Sequence, residues 1–280
     1  MEIIVGKYSG FCSGVNNTYN KAKEEIKKGK VYCLGEIIHN NQVIRELESL
    51  GMITVTSLDE VDDNSRVIFR AHGEPESSYK YAKEHNLDVI DLTCGRVKVI
   101  HNKVLKEKDN LFILIVGKKT HPEIIGTHGF CLNNSFVIED FSDIDKSFIE
   151  FKKSKYNKIY IVSQTTFSSD LFDKLVFKIK EIYKDYELKI DKTICDATEK
   201  RQKEVLEISK KCSKILVIGS KNSSNTKELY NIAKKNCNQV YFIESIDDTK
   251  LIDFSDRDIV GVVAGASAPK YLIDDIVSTL

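Results

Sequence analysis

The stretch DLTCGRVKVIHNKVLKEK, residues 91–108, decides the fold class of this 280-residue chain. It places Cys94 between a short apolar run, LDVIDL at 87–92, and a stretch whose apolar residues have helical spacing. The same order recurs around Cys12 and Cys195, each of which follows a strand-like run and precedes a helical one. Three matching strand–cysteine–helix segments indicate an α/β protein with an internal repeat.

Two further strand–turn–helix segments follow each cysteine, and each segment has a polar residue where its strand ends. In the first segment these residues stand 27, 27 and 28 positions after the cysteines, and they are His39, His121 and Ser223. In the second segment they are His72, Thr165 and Ser267. We therefore predict three similar α/β units, related by a pseudo-threefold axis, over residues 1–85, 86–188 and 189–280.

Ten apolar, β-branched runs predict the strands, as expected for sheets that are buried on both faces. These runs are EIIVGK, KVYCLG, RVIFRA, LDVIDL, LFILIVG, KIYIVS, LKIDKTI, KILVIG, QVYFI and DIVGVVAG. No Gly/Ser-rich linker separates the units, so we expect them to pack tightly.

The composition excludes several classes of function. Lys+Arg and Asp+Glu balance at 42 each, so no overall charge favours nucleic acid or an anionic membrane. No stretch approaches the roughly 18 apolar residues of a spanning helix, and the N-terminus lacks the features of a signal peptide. Seven cysteines without an export signal favour reduced thiols in a cytoplasmic protein.

Three thiolates around one centre suit zinc or an iron–sulfur cluster. Structural zinc usually takes close cysteine pairs, whereas Cys12, Cys94 and Cys195 are separated by 82 and 101 residues. This spacing favours a 4Fe–4S cluster, and three ligands instead of four leave one iron open to a substrate oxygen. We interpret Cys33 and Cys131 as buried apolar residues, and the cysteines at 212 and 237 as incidental.

The polar residues at the strand ends suit an anionic ligand. GSKNSSN, residues 219–225, offers hydroxyls and an amide before a helix, and helix N-termini favour phosphate. Ser and Asn at such positions also serve simply as N-caps, and the histidines at 39, 72 and 121 could instead bind zinc. Glu123 stands where the other units have Asn41 and Asn225, and is a candidate proton donor or a first-turn glutamate that favours the helix dipole.

Nine motifs, in this order along the chain, resemble those of 4-hydroxy-3-methylbut-2-enyl diphosphate reductase, the last enzyme of the methylerythritol phosphate route to isoprenoids. They are FCSGV, GEIIHN, RAHG, DLTCGRV, HPEIIGT, QTT, ICDAT, GSKNSSN and AGASAP, and they span Cys12 to Pro269. The resemblance implies a trefoil of three α/β units around a central iron–sulfur cluster. It also implies reductive removal of the allylic hydroxyl of the substrate, which gives isopentenyl and dimethylallyl diphosphate.

The resemblance also implies residue roles. Cys12, Cys94 and Cys195 would hold the cluster, and Glu123 would be the proton source, with His121 and Thr165 orienting substrate and relaying protons. Thr166 is an alternative to Thr165. The residues that would hold the diphosphate are His39, His72, Ser223, Ser224, Asn225 and Ser267. We expect the electrons to come from ferredoxin or flavodoxin.

Three other interpretations remain open from the sequence. One is a cluster enzyme of the quinolinate synthase kind, which needs no reductant. The second is a zinc-dependent hydrolase that uses the histidines, and the third is a non-catalytic module stabilised by a metal.

Overall fold

The computed structural model describes all 280 residues and contains twelve β-strands and ten α-helices. The strands are β1 (Glu2–Val5), β2 (Val31–Leu34), β3 (Met52–Val55), β4 (Arg66–Phe69), β5 (Asp88–Asp91), β6 (Phe112–Val116), β7 (Ser135–Ile138), β8 (Lys158–Ser163), β9 (Glu187–Ile190), β10 (Lys214–Ile218), β11 (Gln239–Ile243) and β12 (Ile259–Ala264). The helices are α1 (Ser13–Ile26), α2 (Asn41–Ser49), α3 (Glu76–Glu84), α4 (Gly95–Glu107), α5 (Pro122–His128), α6 (Ser142–Lys153), α7 (Ser169–Ile182), α8 (Asp196–Ser209), α9 (Ser224–Lys234) and α10 (Lys270–Ser278). Short 3-10 helices lie at Leu58–Glu60, Leu132–Asn134 and Ile246–Leu251.

The strands form three four-stranded sheets, and every strand pair is parallel. The sheet orders are β3-β2-β4-β5, β7-β6-β8-β9 and β11-β10-β12-β1. The same order therefore recurs three times, with β1 from the start of the chain as the fourth strand of the last sheet. The predicted α/β class and its threefold repetition are confirmed.

All ten predicted strands are present, but β3 and β7 were not predicted. Each has four residues and lies at the edge of its sheet, where it pairs with one neighbour only. Their sequences, MITV and SFVI, are partly exposed and too short to stand out as apolar runs.

The central strands are buried on both faces because helices cover each side of the sheet. Along β6, Phe112, Leu114 and Val116 belong to one apolar cluster, whereas Ile113 and Ile115 belong to another. The same alternation occurs along β10, at residues 215–218. Continuous apolar runs in the sequence thus correspond to strands that contribute to two cores.

The chain forms two compact units. One comprises Met1–Asn17, Ile38–Glu46 and Cys195–Leu280, and contains the sheet β11-β10-β12-β1. The other comprises Thr18–Ile37 and Leu47–Ile194, and contains the other two sheets. The division after residues 85 and 188, and the arrangement of the units around a central cluster, stay predictions.

The predicted site residues all follow the carboxyl ends of strands, where ligands bind in α/β sheets. The strands β2, β4 and β5 lead into His39, His72 and Cys94. The strands β6, β8 and β9 lead into His121, Thr165 and Cys195. The strands β10, β12 and β1 lead into Ser223, Ser267 and Cys12. Strand pairing thus assigns one cysteine and two other polar residues to each sheet.

Candidate active site

The three predicted ligand cysteines occupy the same local position, directly before a helix. Their carbonyls accept the first helical hydrogen bond from the residue four positions on, at 2.9, 2.9 and 3.1 Å for Cys12, Cys94 and Cys195. All three cysteines are partly exposed, and none of them forms a disulfide. The unpaired N–H groups and positive dipole end of a helix N-terminus favour negative charge on such sulfurs, so the position suits thiolate ligands.

The other cysteines have a different environment. Cys33, Cys131 and Cys237 are buried, and burial raises the pKa of the Cys33 thiol to about 12 and that of Cys131 to about 11. Burial also raises the pKa of Cys212 to about 11. Such thiols stay protonated at neutral pH and are poor ligands. This agrees with the interpretation of Cys33 and Cys131 as buried apolar residues.

Glu123, at the start of α5, is held by Thr165, which follows β8. Its Oε1 accepts the backbone N–H of Thr165 and its Oε2 accepts the Thr165 hydroxyl, both at 2.6 Å. Glu123 is 2% exposed, and this burial raises the pKa of its carboxyl to about 7 although the two hydrogen bonds from Thr165 act in the opposite direction. The carboxyl can therefore both hold and release a proton near neutral pH.

The orientation of His121 follows from its position as N-cap of α5. Its Nδ1 accepts the backbone N–H of Glu123 at 3.1 Å, so the neutral ring carries its proton on Nε2. The His72 ring meets the His121 ring edge-on, with 5.4 Å between centroids. Glu123, Thr165, His121 and His72 thus form one polar cluster within the second compact unit.

Thr165 and Thr166 have different partners. The Thr166 hydroxyl accepts a hydrogen bond from Gln164 Nε2 at 2.8 Å, and Gln164 Oε1 accepts the backbone N–H of Lys118 at 3.0 Å. Of the two threonines, Thr165 is therefore the one whose hydroxyl contacts Glu123.

The other polar site residues lie in the first compact unit. Ser223 is the N-cap of α9, and its Oγ accepts the Thr226 N–H at 3.3 Å. Asn225 is 3% exposed, yet neither its amide oxygen nor its amide nitrogen has a hydrogen-bond partner. Ser224, the first residue of α9, is half-buried. A helix N-terminus with a buried, unsatisfied amide suits an anionic ligand.

Ser267 lies in the turn after β12 and is connected to His39. Its hydroxyl donates to the His39 carbonyl at 3.1 Å. The same turn lies close to α9. A Cβ atom added to Gly265 would lie only 2.1 Å from Thr226 Oγ1, so no side chain fits at this position. Glycine at 265 therefore allows the turn that bears Ser267 to lie against the first turn of α9.

Two residues with clear structural roles, Asn40 and Arg201, were not predicted from the sequence. Asn40 Nδ2 donates to the Ser267 carbonyl at 2.8 Å, and its Oδ1 accepts the N–H groups of residues 42 and 43, which caps α2. Arg201 is 5% exposed although it lies in the charged stretch EKRQKE. The signal for Asn40 was an asparagine directly before a helix. Nothing in the sequence distinguished Arg201 from its exposed neighbours.

These features together define an α/β enzyme. Its acid–base groups and three partly exposed cysteines lie after the carboxyl ends of parallel strands, and one buried acid has its pKa near neutrality. The family described as LytB protein matches residues 3–280, and the chain belongs to this family.

Similar proteins from two organisms support this family assignment, and both bear the name of one enzyme. A 4-hydroxy-3-methylbut-2-enyl diphosphate reductase of Petrotoga mobilis is 39% identical over 289 residues, covering 100% of this chain and 97% of the relative. The enzyme of the same name from Clostridioides difficile is 34% identical and covers 100% of this chain and 99% of the relative.

Solved structures are also similar. The E-1-hydroxy-2-methyl-but-2-enyl-4-diphosphate reductase of Plasmodium falciparum matches with a TM-score of 0.89 and 29% identity, over 100% of this chain and 87% of that chain. A structure of (E)-4-hydroxy-3-methyl-but-2-enyl diphosphate reductase, described as the terminal enzyme of the non-mevalonate pathway, matches with a TM-score of 0.69, 34% identity, and coverage of 99% and 98%. None of the helices in this chain has the length and apolar character needed to cross a membrane.

Proposed function

We propose that the chain catalyses the reductive dehydroxylation of (E)-4-hydroxy-3-methylbut-2-enyl diphosphate. The substrate takes up two electrons and two protons, its allylic C–O bond breaks, and isopentenyl or dimethylallyl diphosphate and one water molecule form. The observation that carries the proposal is the buried carboxyl of Glu123, which is hydrogen-bonded to Thr165 and has a pKa of about 7. The relatives named as this reductase support the same conclusion.

Cys12, Cys94 and Cys195 are the proposed ligands of a 4Fe–4S cluster. The fit of the donor set supports this: three partly exposed cysteines, none of them in a disulfide, share one position before a helix, whereas the remaining thiols have raised pKa values or are buried. When bound, the cluster supplies the electrons for the reaction one at a time. We propose ferredoxin or flavodoxin as the donor of these electrons.

Glu123 is the proposed source of the proton that leaves with the hydroxyl as water. In its protonated form the carboxyl can donate to Thr165 Oγ1, and the Thr165 hydroxyl can then donate onward to the substrate. The present hydrogen bond of 2.6 Å between these groups is the path for that transfer. A carboxyl with a pKa near the working pH is the most effective general acid, because it is both available and able to release its proton.

His121 has a proposed orienting role in the same cluster. Its Nδ1 accepts the Glu123 N–H, so the ring is fixed and presents Nε2–H as a donor to the substrate. Three residues of this cluster, His121, Glu123 and Thr165, are each less than a tenth exposed. Their burial keeps bulk water away from the substrate, because water would protonate an allylic carbanion at the wrong carbon.

The proposed diphosphate-binding residues lie at the starts of helices and in the turns that follow strands: His39, His72, Ser223, Ser224, Asn225 and Ser267. The unsatisfied amide of Asn225 supports this assignment, because a buried polar side chain without a partner costs free energy. A phosphate oxygen would accept from its Nδ2.

The test is an anaerobic assay of the purified chain with reduced methyl viologen. We expect a brown protein with iron and sulfide but little zinc, oxidation of the dye that depends on substrate, and the two isoprenyl diphosphates by mass spectrometry. A colourless zinc protein, or a reaction that proceeds without reductant, would overturn the proposal in favour of a hydrolase or a non-reductive cluster enzyme.

A further inference from the structure

The segment between β1 and Cys12 is held by two side chains of α8. Glu204 Oε1 accepts the backbone N–H of Lys7 at 2.7 Å, and Glu204 Oε2 accepts that of Tyr8 at 3.0 Å. Arg201 Nη2 donates to the Gly10 carbonyl at 2.7 Å, in a buried contact. We call Arg201 and Glu204 the α8 clamp. All of these residues belong to the first compact unit.

The helix that provides the clamp also begins at a proposed ligand. Cys195 is the N-cap of α8, and Arg201 Nη1 donates to the carbonyl of Ala197 in the first turn at 2.8 Å. One guanidinium therefore joins the first turn after Cys195 to the loop that ends at Cys12. A single planar group with two such bonds fixes the spacing between the two segments.

The opposite side of the Cys12 loop is fixed by β12. Ser9 Oγ accepts the Ala264 N–H at 3.0 Å, and the Cys12 N–H donates to the Ala266 carbonyl at 3.2 Å. Gly10 has φ +99°, a conformation that favours glycine. The loop thus lies between α8 and β12 in one defined conformation.

One nitrogen of the Arg201 guanidinium makes no hydrogen bond. Its Nε is buried and has no hydrogen-bond partner. Burial lowers the pKa of the Arg201 guanidinium, and negative charge on Cys12, Cys195 and Glu204 acts in the opposite direction. A buried guanidinium is costly unless negative groups compensate its charge, and thiolates at Cys12 and Cys195 would add to the compensation that Glu204 provides.

We propose that Arg201 is a positioning residue for the iron–sulfur cluster, which with Glu204 sets the spacing of Cys12 and Cys195 and places a fixed positive charge beside their sulfurs. The positioning of the two thiols is a property of the chain itself. The effect of the charge rests on the proposed cluster.

The first test measures thiol exposure in the full-length chain before cluster reconstitution, by the limiting rate of iodoacetamide alkylation at each cysteine, taken from the alkaline plateau of its pH dependence. At that plateau every thiol is ionised, so loss of the Arg201 charge does not itself change the rate. Arg201→Gln should raise the rates at Cys12 and Cys195 about tenfold, the change that loss of a charged hydrogen bond worth about 1.4 kcal/mol produces. Lys203→Gln removes an exposed charge from the same helix and should leave both rates unchanged. Wild-type alkylation rates in Arg201→Gln would overturn the positioning role.

The second test measures the midpoint potential of the reconstituted cluster. Arg201→Gln should lower the potential, because the added electron loses a nearby positive charge, and Arg201→Lys should restore it. Glu204→Gln should raise the potential although it also loosens the Cys12 loop. Opposite shifts of the midpoint potential in Arg201→Gln and Glu204→Gln indicate an effect of charge. Disorder of the Cys12 loop would instead shift the potential of both variants in the same direction. Equal or absent shifts would overturn the electrostatic role.

The two tests separate failure of this inference from failure of the proposed function. A wild-type chain that binds no cluster would contradict the proposed function, while the alkylation rates would still decide whether the α8 clamp positions the thiols. If Arg201→Gln does not fold, Arg201→Lys provides the alkylation comparison, because it keeps the charge but cannot make both guanidinium hydrogen bonds.

Discussion

Glu123 and Thr165 are joined by two hydrogen bonds of 2.6 Å, one from the backbone N–H and one from the hydroxyl of the threonine. The residues come from different strand ends, Glu123 after β6 and Thr165 after β8. Because β6 and β8 are paired in parallel, the contact is a direct result of sheet topology. The carboxyl is thus fixed, buried and titratable near neutral pH.

Replacement of Glu123 by Gln should remove the proton source while keeping the shape of the site. We expect turnover to fall by at least about a hundredfold, the effect typical of a lost general acid, with iron content and substrate affinity retained. Steady-state kinetics and iron analysis provide the measurement. The matched control is Glu150→Gln on the exposed face of α6, which should behave as wild type. Near-normal turnover of Glu123→Gln would refute the assignment.

The raised pKa of Glu123 also affects stability. Since its pKa is about 7 in the folded chain and 4.5 in the reference state, the folded chain binds more protons between these values. This contribution to stability is fully present below pH 4.5 and is lost as pH rises through 7. The loss amounts to roughly 3 kcal/mol at 1.36 kcal/mol per pKa unit.

Glu123→Gln cannot titrate, so its stability relative to wild type should improve as pH rises from 4.5 to 7 and then level off. Urea unfolding of both chains across this range measures the difference, and subtraction cancels the other titrating groups. A difference that is independent of pH would show that Glu123 has an ordinary pKa.

Loss of one proposed cluster ligand should prevent cluster binding. Cys94→Ser replaces a soft thiolate by a hydroxyl, and we expect little or no intact cluster after anaerobic reconstitution. The readouts are iron content and visible absorbance. Cys212→Ser, at a thiol whose pKa is raised by burial, should keep the iron content of wild type. Equal iron content in both variants would contradict the ligand assignment.

The sequence predicted most of the sheet architecture because continuous apolar runs are a strong signal for strands buried on both faces. It did not predict β3 and β7, whose single pairing partner leaves them short and partly exposed. Nor could it predict that β1 pairs with β12, because the contact of Glu2 with Ile259 joins the two ends of the chain. Long-range pairing has no local signature.

The site was predictable where residues repeat and hidden where they do not. His39, His121 and Ser223 were found through their nearly equal offsets from the cysteines, 27, 27 and 28 residues. Arg201 occurs in a stretch of alternating charges typical of an exposed helix, and only the folded chain shows that it is buried. The assigned roles of the repeated residues stay predictions.

Asn225 and Asn40 provide a last, opposed pair of predictions. Asn225 is buried, and both of its polar amide atoms lack hydrogen-bond partners. Asn225→Leu, with a side chain of similar size, should therefore leave the free energy of unfolding unchanged or raise it by up to about 1 kcal/mol. It should also weaken substrate binding at least about tenfold, since a hydrogen bond to a charged oxygen is worth about 1.5–3 kcal/mol. Asn40 instead makes three hydrogen bonds, to Ser267 and to the first turn of α2.

Asn40→Ala should therefore destabilise the chain by about 1 kcal/mol or more, as expected for the loss of an N-cap. Calorimetry of the two variants, together with KM values, measures both effects. A structural asparagine loses stability when it is replaced, whereas a ligand-binding one that is unsatisfied without its ligand does not. If Asn225→Leu were as destabilising as Asn40→Ala and left KM unchanged, Asn225 would be a packing residue, and the diphosphate would have to be held by the serines and histidines alone.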